Sequence, residues 1–300
     1  MSTSIDDVAS IVSEPPAPFA DSRSTPAPNQ ALTKIRPAKL WEAIDLPELW
    51  SQREVIYFLI WRDLKVRYKQ TILGAAWVLL QPVLMTIVFT VFLGRFMHAP
   101  SDGVPYPIFA FAAMLVWTFT STAVLSSSYS LVTNSQIITR IYFPRLALPI
   151  SAIGVRLFDF VIASIVLVGF MIYYGVGINL RMMMLPLLIV EMTALAMAAG
   201  VLTAALYVRY RDIGTLLPII LQVWLFISPT AYSPALVPNK YRLVYSLNPL
   251  VGIMTGFRAA LFDLPFDWTS IIASAVVTLV LLAVSLQVFQ MLDSSFADEV

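Results

Sequence analysis

Six long apolar segments constrain what this chain can fold into. Each is close to the roughly 20 residues that an α-helix needs to cross a bilayer. Only 12% of the residues are charged and 59% are hydrophobic, whereas soluble domains carry about 25% charged residues. The sequence therefore predicts an all-α integral membrane protein with six transmembrane helices. The predicted spans are about 74–94, 105–126, 153–174, 183–207, 213–231 and 270–291.

Lys and Arg near the ends of the spans indicate the orientation, because they are enriched on the cytoplasmic side. The segment before the first span is rich in them, and the loops after the second and fourth spans carry two each. The opposite loops carry fewer near the membrane. We therefore predict a multi-pass protein of the cytoplasmic (inner) membrane with both termini in the cytoplasm. The basic residues on the predicted inner side are Lys34, Arg36, Lys39, Arg53, Arg62, Lys65, Arg67, Lys69, Arg140, Arg145, Arg209 and Arg211.

Composition divides the chain into four parts. Residues 1–38 are rich in Pro, Ser and Ala and bury too little apolar surface to offset the entropy of ordering, which predicts a disordered cytoplasmic tail. The tail has no basic region followed by an apolar one, so no cleaved signal peptide is expected. Residues 39–73 are predicted to hold an interface helix, residues 74–292 the six-span domain, and residues 293–300 a cytoplasmic C-terminus.

The segment before the first span has the pattern of a helix lying along a membrane surface. At 100° per residue its aromatic residues fall on one stripe, with charged residues beside or opposite them. Aromatic rings favour the headgroup region, and Lys and Arg reach phosphates from it. A helix packed against the cytoplasmic side of the bundle is the alternative. The stripe comprises Trp50, Tyr57, Trp61, Leu64 and Tyr68.

The inner loop 127–145 contains a predicted short helix. Asn134 and Ser135 provide capping oxygens, and Pro144 ends the helix. Such a helix is suited to a cleft in another protein, or it is a connector tucked under its own bundle, and both interpretations remain open. Its apolar edge comprises Ile137, Ile138, Ile141 and Tyr142.

The outer segment 232–267 is longer than most connections and is not very polar. Residues 250–262 are apolar enough to enter the bilayer as a re-entrant helix. Backbone of this kind is tolerated at membrane depth only where protein or a cavity surrounds it. The pattern predicts an outer gate, and a helix lying flat on the outer leaflet is the alternative.

Few residues are suited to catalysis or metal binding. The chain has no cysteine and one histidine, His98, which excludes thiolate and multi-histidine metal sites. No Gly-x-x-x-x-Gly-Lys-Ser/Thr phosphate loop occurs among the 11 glycines, so no ATP site of that kind is expected. We therefore expect no catalytic residue, metal or cofactor on this chain. The net charge of +1 does not indicate a nucleic-acid partner.

Three acidic or basic residues lie within predicted spans. Glu191 is the deepest, and an acid in the membrane is a functional candidate by default. It favours either a proton-coupled carrier or a hydrogen-bonded packing residue. Arg156 and Asp159 lie towards the inner end of the third span and are expected to pair, because residues three apart are neighbours on a helix.

One face of the second span combines aromatic rings, small residues and a hydroxyl. Sugars stack their apolar faces on aromatic rings and pair their hydroxyls with Thr and Tyr. This face is therefore a candidate wall for a sugar pathway, and a packing or lipid-facing role is the alternative. Its residues are Tyr106, Phe109, Ala113, Trp117, Thr120 and Val124.

Four motifs occur in order along the chain. They are Arg62–Lys69 with Leu73–Trp77 and Gln81-Pro82, then Phe143-Pro144-Arg145 with Leu148-Pro149, then Tyr210–Ile213, and finally Asn248-Pro249 with Phe257-Arg258. Together they resemble the ABC-2 type permeases that export polysaccharides, which handle lipid-linked O-antigen, capsular polysaccharide and teichoic acid. The resemblance covers about residues 45–292.

The resemblance implies a half-transporter rather than an enzyme. Two copies would form a homodimeric pore, driven by two copies of a separate ATP-binding subunit that holds ATP and Mg. The cargo would be a lipid-linked polysaccharide such as O-antigen, by analogy with the family. An ABC-2 permease for another lipid or drug cargo and a proton-coupled carrier using Glu191 are the alternatives.

The resemblance also implies roles for residues. A phosphate group on the substrate would be admitted past Arg62, Lys65, Arg67 and Lys69, since the arginine fork suits phosphate. Anchoring to anionic lipid is their other role. The pathway would comprise Tyr106, Phe109, Trp117, Thr120 and Trp77. The ATPase contact would comprise Asn134, Ile137, Ile138, Arg140, Ile141 and Tyr142. The outer gate would comprise Asn248, Pro249, Phe257 and Arg258.

Overall fold

The computed structural model describes residue 50 and residues 52–69, 76–138 and 143–293. The predicted tail 1–38 and residues 294–300 of the predicted C-terminus lie outside this part of the chain. So do the first residues of the predicted interface segment, and Arg140, Ile141 and Tyr142 of the predicted ATPase contact.

The described residues form helices, and no strand occurs among them. Helix α1 spans Arg53–Lys69, α2 spans Ala76–Phe89 and continues as a π-helix over Thr90–Phe96, α3 spans Tyr106–Thr133, and α4 spans Ser135–Ile138. Helix α5 spans Ala147–Tyr174, and a 3-10 turn at Leu180–Met184 leads into α6, Leu185–Arg209. Helix α7 spans Ile213–Ile227, a 3-10 turn covers Pro234–Leu236, α8 spans Asn239–Ser246, α9 spans Pro249–Phe262, and α10 spans Trp268–Asp293.

Five helical stretches of the described chain are long and apolar enough to cross a membrane. They are Ala76–Phe96, Tyr106–Thr133, Ala147–Tyr174, Leu180–Arg209 and Trp268–Asp293. Each contains most of one predicted span, which confirms the all-α membrane class.

The remaining predicted span, 213–231, corresponds to α7, which has 15 residues. At 1.5 Å per residue it is about 22 Å long. The helix ends at Ile227 because Ser228 is extended, as the residue before a proline tends to be. The helical part is therefore shorter than the apolar run, which continues through Pro229 and Ala231.

Helix α3 occupies the centre of the bundle. It packs along α5 and α6, and side chains such as Phe109 and Met114 are buried within the chain. Helices α2 and α10 instead keep exposed apolar faces, which include Leu84, Ile87 and Leu279. Apolar surface of this extent requires a bilayer or another apolar partner.

Helix α1 packs against α5 through one face. Its Leu59 is buried in a cluster with Leu131, Leu148 and Phe289. The aromatic stripe divides: Trp50, Tyr57 and Trp61 are exposed, whereas Leu64 and Tyr68 are partly buried. Helix α1 therefore packs against the bundle, as the alternative interpretation predicted. It also exposes aromatic residues, as predicted for a helix lying along the membrane surface.

Candidate functional site

The carboxylate of Asp159 in α5 contacts donor groups of three side chains. The Tyr68 hydroxyl donates to Oδ1 at 2.5 Å, Arg67 Nη2 lies 3.1 Å from Oδ2, and Arg156 Nη1 donates to Oδ2 at 3.2 Å. Asp159 is only 7% exposed, so these partners compensate for the loss of water around its charge. The predicted pairing of Arg156 with Asp159 is confirmed. In addition, Arg67 and Tyr68 fasten the last turn of α1 to α5.

Tyr68 keeps its proton at neutral pH. Burial, followed by the hydrogen bond to Asp159, raises the pKa of Tyr68 above its ordinary value of 10.0. Ionisation would place a second negative charge beside a buried carboxylate. The hydroxyl therefore remains a donor to Asp159 across the physiological pH range.

A cavity of about 70 Å³ lies beside this ion-pair cluster, where α1, α2, α3 and α5 meet. Its charged lining residues are Arg67, Arg156 and Asp159. The remaining lining residues are Trp77, Val78, Gln81, Pro82, Leu115, Thr118, Phe119, Thr122, Phe160 and Ala163. The cavity therefore combines guanidinium, hydroxyl and aromatic groups, and we call it the junction cavity.

The four basic residues of α1 that were predicted to admit a phosphate group take different positions. Arg67 lines the junction cavity. Lys65 and Lys69 are exposed, and the Lys65 ammonium lies 5.3 Å from the ring centroid of Trp61. Arg62 faces the loop after α3 instead. Of the four, only Arg67 reaches the cavity.

Arg62 links α1 to the loop that follows α3. Its Nε donates to Asp63 Oδ1 at 2.8 Å, and its Nη2 donates to Asn134 Oδ1 at 3.0 Å. The Asn134 side chain also donates to the carbonyl of Ser130 at 2.8 Å. The side-chain oxygen predicted to cap the loop helix is therefore occupied by Arg62, and the side-chain nitrogen caps the end of α3.

The described part of the predicted ATPase contact is the four-residue helix α4. Ile137 and Ile138 are partly buried against the cluster that contains Leu59, Leu131 and Phe289. This part of the segment packs on its own bundle, which is one of the two placements that the sequence left open.

Asn248 and Pro249 start α9 in a way that fixes its first turn. Asn248 Oδ1 accepts from the backbone N–H of Leu250 at 3.1 Å and from Trp224 Nε1 at 2.9 Å. Its Nδ2 donates to Ser228 Oγ at 3.0 Å. Pro249 occupies the first helical position, where no N–H is needed. Asn248 thereby joins the end of α7 to the start of α9.

Arg258 in α9 is 2% exposed and binds backbone carbonyls. It donates to Phe109 at 3.1 Å, Pro229 at 2.8 Å, Thr230 at 2.8 Å and Tyr232 at 3.4 Å. Its guanidinium carbon lies 3.5 Å from the centroid of the Phe109 ring, within cation–π range. These contacts hold α9, the turn after α7 and the start of α3 together.

Glu191 in α6 and Ser274 in α10 meet beside the start of α9. The Ser274 hydroxyl lies 2.6 Å from Glu191 Oε1 and 2.5 Å from the carbonyl oxygen of Pro249. Glu191 therefore takes part in a hydrogen-bonded junction of three helices. Across the described residues, no three His, Asp or Glu side chains come together in a group that could hold a metal ion.

The five residues predicted to line a sugar pathway do not share one surface. Phe109 and Thr120 are fully buried, and Trp117 is 4% exposed. Tyr106 is partly buried, and Trp77 is 55% exposed. Most of the predicted face thus lies inside the subunit, between α3 and its neighbours, and its pathway role stays a prediction.

Gly252 in α9 is expected to tolerate no side chain, because α9 lies directly on α10. A Cβ at this position would lie 2.5 Å from Ser274 Cβ and would also meet the backbone carbonyl of Ser270. Gly252→Ala should lower the free energy of unfolding by about 1–3 kcal/mol. Thermal unfolding of the purified protein measures this. Gly169→Ala is the matched control, since a Cβ there meets nothing within 4 Å, and equal effects of the two changes would contradict the prediction.

The apolar spans, the basic segment before α2 and the polar junction cavity together define a helical membrane protein suited to transport. Residues 54–262, more than two thirds of the chain, match the family of ABC-2 type transporters. The chain belongs to this family. It is similar to an O-antigen export system permease protein of Myxococcus xanthus, with 27% identity over 258 residues, covering 84% of this chain and 98% of the relative. A Klebsiella pneumoniae permease of the same name is 23% identical over 238 residues, covering 79% and 91%.

Proposed function

We propose that this chain is the transmembrane permease subunit of an ATP-driven ABC exporter that moves a lipid-linked O-antigen polysaccharide across the cytoplasmic membrane. The observation that carries the proposal is the similarity to O-antigen export permeases over 98% and 91% of their lengths, together with the family match. The cargo named for these relatives supports the same cargo for this chain, because the similarity extends through the whole membrane domain and is not limited to one motif.

The proposed subunit crosses the membrane six times with both termini in the cytoplasm. Helix α7 is the additional crossing, and the turn over residues 228–232 supplies the remaining length. Helix α9 is re-entrant. Its burial supports this, because α9 is surrounded by α3, α6 and α10, the condition under which a short helix is tolerated at membrane depth. Asn248, Pro249, Phe257 and Arg258 then belong to an outer gate.

Two copies of this subunit form the pore, and two copies of a separate ATP-binding subunit hold ATP and Mg. Exposed apolar side chains on α2 and α7, including Ile87, Ile219 and Phe226, supply surface for a second copy or for lipid. The loop 134–142 contacts the ATPase. The Arg62–Asn134 hydrogen bond supports this role, because it joins that loop directly to α1.

The glycan lipid reaches the pore from the inner leaflet past the basic side of α1. Arg62, Lys65, Arg67 and Lys69 supply positive charge along that route. Tyr106, Phe109, Trp117, Thr120 and Trp77 contact the sugar chain when the bundle opens. Since three of these side chains are buried within the subunit, their exposure requires α3 to separate from its neighbours.

Deleting the gene for this chain in its host should abolish O-antigen at the cell surface and cause the lipid-linked glycan to accumulate inside, because export is the blocked step. Surface labelling and lipid extraction measure the two effects, and a plasmid copy should reverse both. An affinity-tagged copy should also purify with a soluble chain that carries a phosphate-binding loop. Unchanged surface O-antigen in the deletion strain would contradict the proposed cargo.

A further inference from the structure

Helix α7 contains a proline that leaves one of its backbone carbonyl groups without a helical donor. Pro218 lies inside the helix, and a proline has no N–H to offer the carbonyl four residues earlier, which is that of Gly214. A carbonyl freed in this way within a membrane needs a donor from a neighbouring helix, because lipid supplies none. Helices also bend most sharply at prolines. Residues 213–217, which we call the first segment of α7, can therefore change direction relative to the rest of the helix.

Tyr129 near the end of α3 supplies the missing donor. Its hydroxyl donates to the Gly214 carbonyl at 2.7 Å. The Tyr129 ring also packs edge-on against the ring of Tyr207 in α6, with ring centroids 5.3 Å apart. Gly214 allows α7 to approach α6 closely, because a Cβ at this position would lie 2.5 Å from the Tyr207 ring. The first segment of α7 is thus held against α3 and α6 by the Tyr129 hydrogen bond and by this close packing.

The opposite end of α7 is fastened by several side chains. Asn248 accepts from Trp224 and donates to Ser228, and Arg258 binds the carbonyls of the turn that follows. Along its length α7 buries a narrow stripe, which comprises Leu217, Leu221 and Leu225. Segments with few buried apolar contacts open at a lower free energy than the core. The first segment is therefore the part of α7 that can move while the opposite end stays in place.

We propose that Tyr129 is a positioning residue for transport. Its hydroxyl holds the first segment of α7 against α3 in the resting subunit, and release of this hydrogen bond lets the segment swing about Pro218. Under the proposed function, on which this inference rests, the exposed face of α7 meets the second copy, so the swing widens the cytoplasmic end of the pore. An uninterrupted helix with an ordinary residue at position 218 would satisfy Gly214 by itself, so a purely structural role leaves the combination of Pro218 and Tyr129 unexplained.

A double-mutant cycle on the purified full-length complex tests whether Tyr129 and Pro218 act on the same carbonyl. Tyr129→Phe keeps the ring but removes the donor, and should lower the unfolding temperature by roughly 2–4 °C. Pro218→Ala gives the helix an N–H for Gly214, so in that background the loss caused by Tyr129→Phe should be at most about half as large. Tyr207→Phe is the matched control. The Tyr207 hydroxyl makes no hydrogen bond within the described part of the chain, so its removal should leave the unfolding temperature unchanged.

Hydrogen exchange and export test the swing itself. Tyr129→Phe should speed amide exchange in the first segment severalfold and leave residues 219–227 unchanged, because only the first segment loses the bond that holds it. Pro218→Ala should lower O-antigen at the cell surface severalfold while stability is retained, because an uninterrupted helix resists bending. A purely structural role for Tyr129 predicts ordinary export from Pro218→Ala instead.

Additive losses in the cycle, unchanged exchange in Tyr129→Phe, or ordinary export from a stable Pro218→Ala protein would overturn the proposal. If Tyr129→Phe alone does not assemble, the variant that combines it with Pro218→Ala should assemble, and its failure to do so would also overturn the proposal. The cycle and the exchange measurement do not depend on the cargo. They can therefore succeed when gene deletion leaves surface O-antigen unchanged, so failure of the proposed function is distinguishable from failure of this inference.

Discussion

Arg258→Gln is expected to destabilise the protein severely and to abolish export. Four carbonyl oxygens bind this guanidinium, and glutamine has too few donors in the wrong geometry to replace it. Each buried carbonyl left without a donor costs about 1–3 kcal/mol. We expect a loss of at least about 3–5 kcal/mol in the free energy of unfolding, comparable to breaking a buried charge pair. Thermal unfolding and surface O-antigen are the measurements.

Arg258→Lys distinguishes the contribution of the positive charge from that of the guanidinium geometry. A lysine keeps the positive charge, but three donors on one nitrogen cannot reach carbonyls that surround a planar fork, so we expect most of the loss to remain. Arg242→Gln is the matched control on the same outer segment. Its side chain is exposed and lies 3.7 Å from Asp267, so its replacement should change stability by less than about 1 kcal/mol. Equal effects of Arg242→Gln and Arg258→Gln would contradict the prediction that the carbonyl contacts of Arg258 stabilise the fold.

Glu191→Gln is expected to preserve both stability and export, whereas Glu191→Leu is expected to lower the stability. The Ser274 hydroxyl has one hydrogen but lies within hydrogen-bond distance of two oxygens, those of Glu191 and Pro249. Both contacts are satisfied if Glu191 carries a proton and donates it to Ser274, which then donates to Pro249. A glutamine amide supplies the same donor, but leucine removes it, so that the Ser274 hydroxyl keeps only its bond to Pro249, at a cost of about 0.5–1.5 kcal/mol for the lost hydrogen bond.

This comparison also separates an ATP-driven permease from a proton-coupled carrier. A carrier built on Glu191 needs a carboxyl group that gains and loses its proton, so Glu191→Gln would stop transport in that case. Surface O-antigen and thermal unfolding of the two variants are the relevant readouts. Export lost in Glu191→Gln with stability retained would contradict the hydrogen-bonding role and favour the carrier.

Much of the membrane fold could be predicted, because crossing a bilayer requires a long apolar run that is visible in composition alone. Five predicted spans correspond to long helices. The 213–231 segment shows the limit of this reasoning. Hydropathy continues through Pro229 and Ala231, but helix formation also depends on backbone hydrogen bonding. That bonding stops after Ser228 because Pro229 has no N–H to donate.

The side-chain arrangement of the sites was less predictable. Helical periodicity identifies residues that share a face, but it does not say whether the face meets a pathway or another helix, so Phe109 and Thr120 could not be placed from sequence. The Arg156–Asp159 pair was predictable because the two residues are three apart on one helix. Tyr68 joins Asp159 across 91 positions, and only the packing of α1 on α5 brings them together.

Helix α1 is fastened to different parts of the protein at two points about 7.5 Å apart along its axis, at the 1.5 Å rise of an α-helix. Arg62 holds the loop after α3, and Arg67 holds Asp159 on α5. A stiff rod fixed at two points transmits a displacement instead of absorbing it. A movement of the loop at Asn134 would therefore reach Arg67 and change the spacing of the two guanidinium groups that share Asp159. A push delivered at the loop would thus alter the shape of the junction cavity that Arg67 and Arg156 line, without any contact between the pushing partner and the cavity itself.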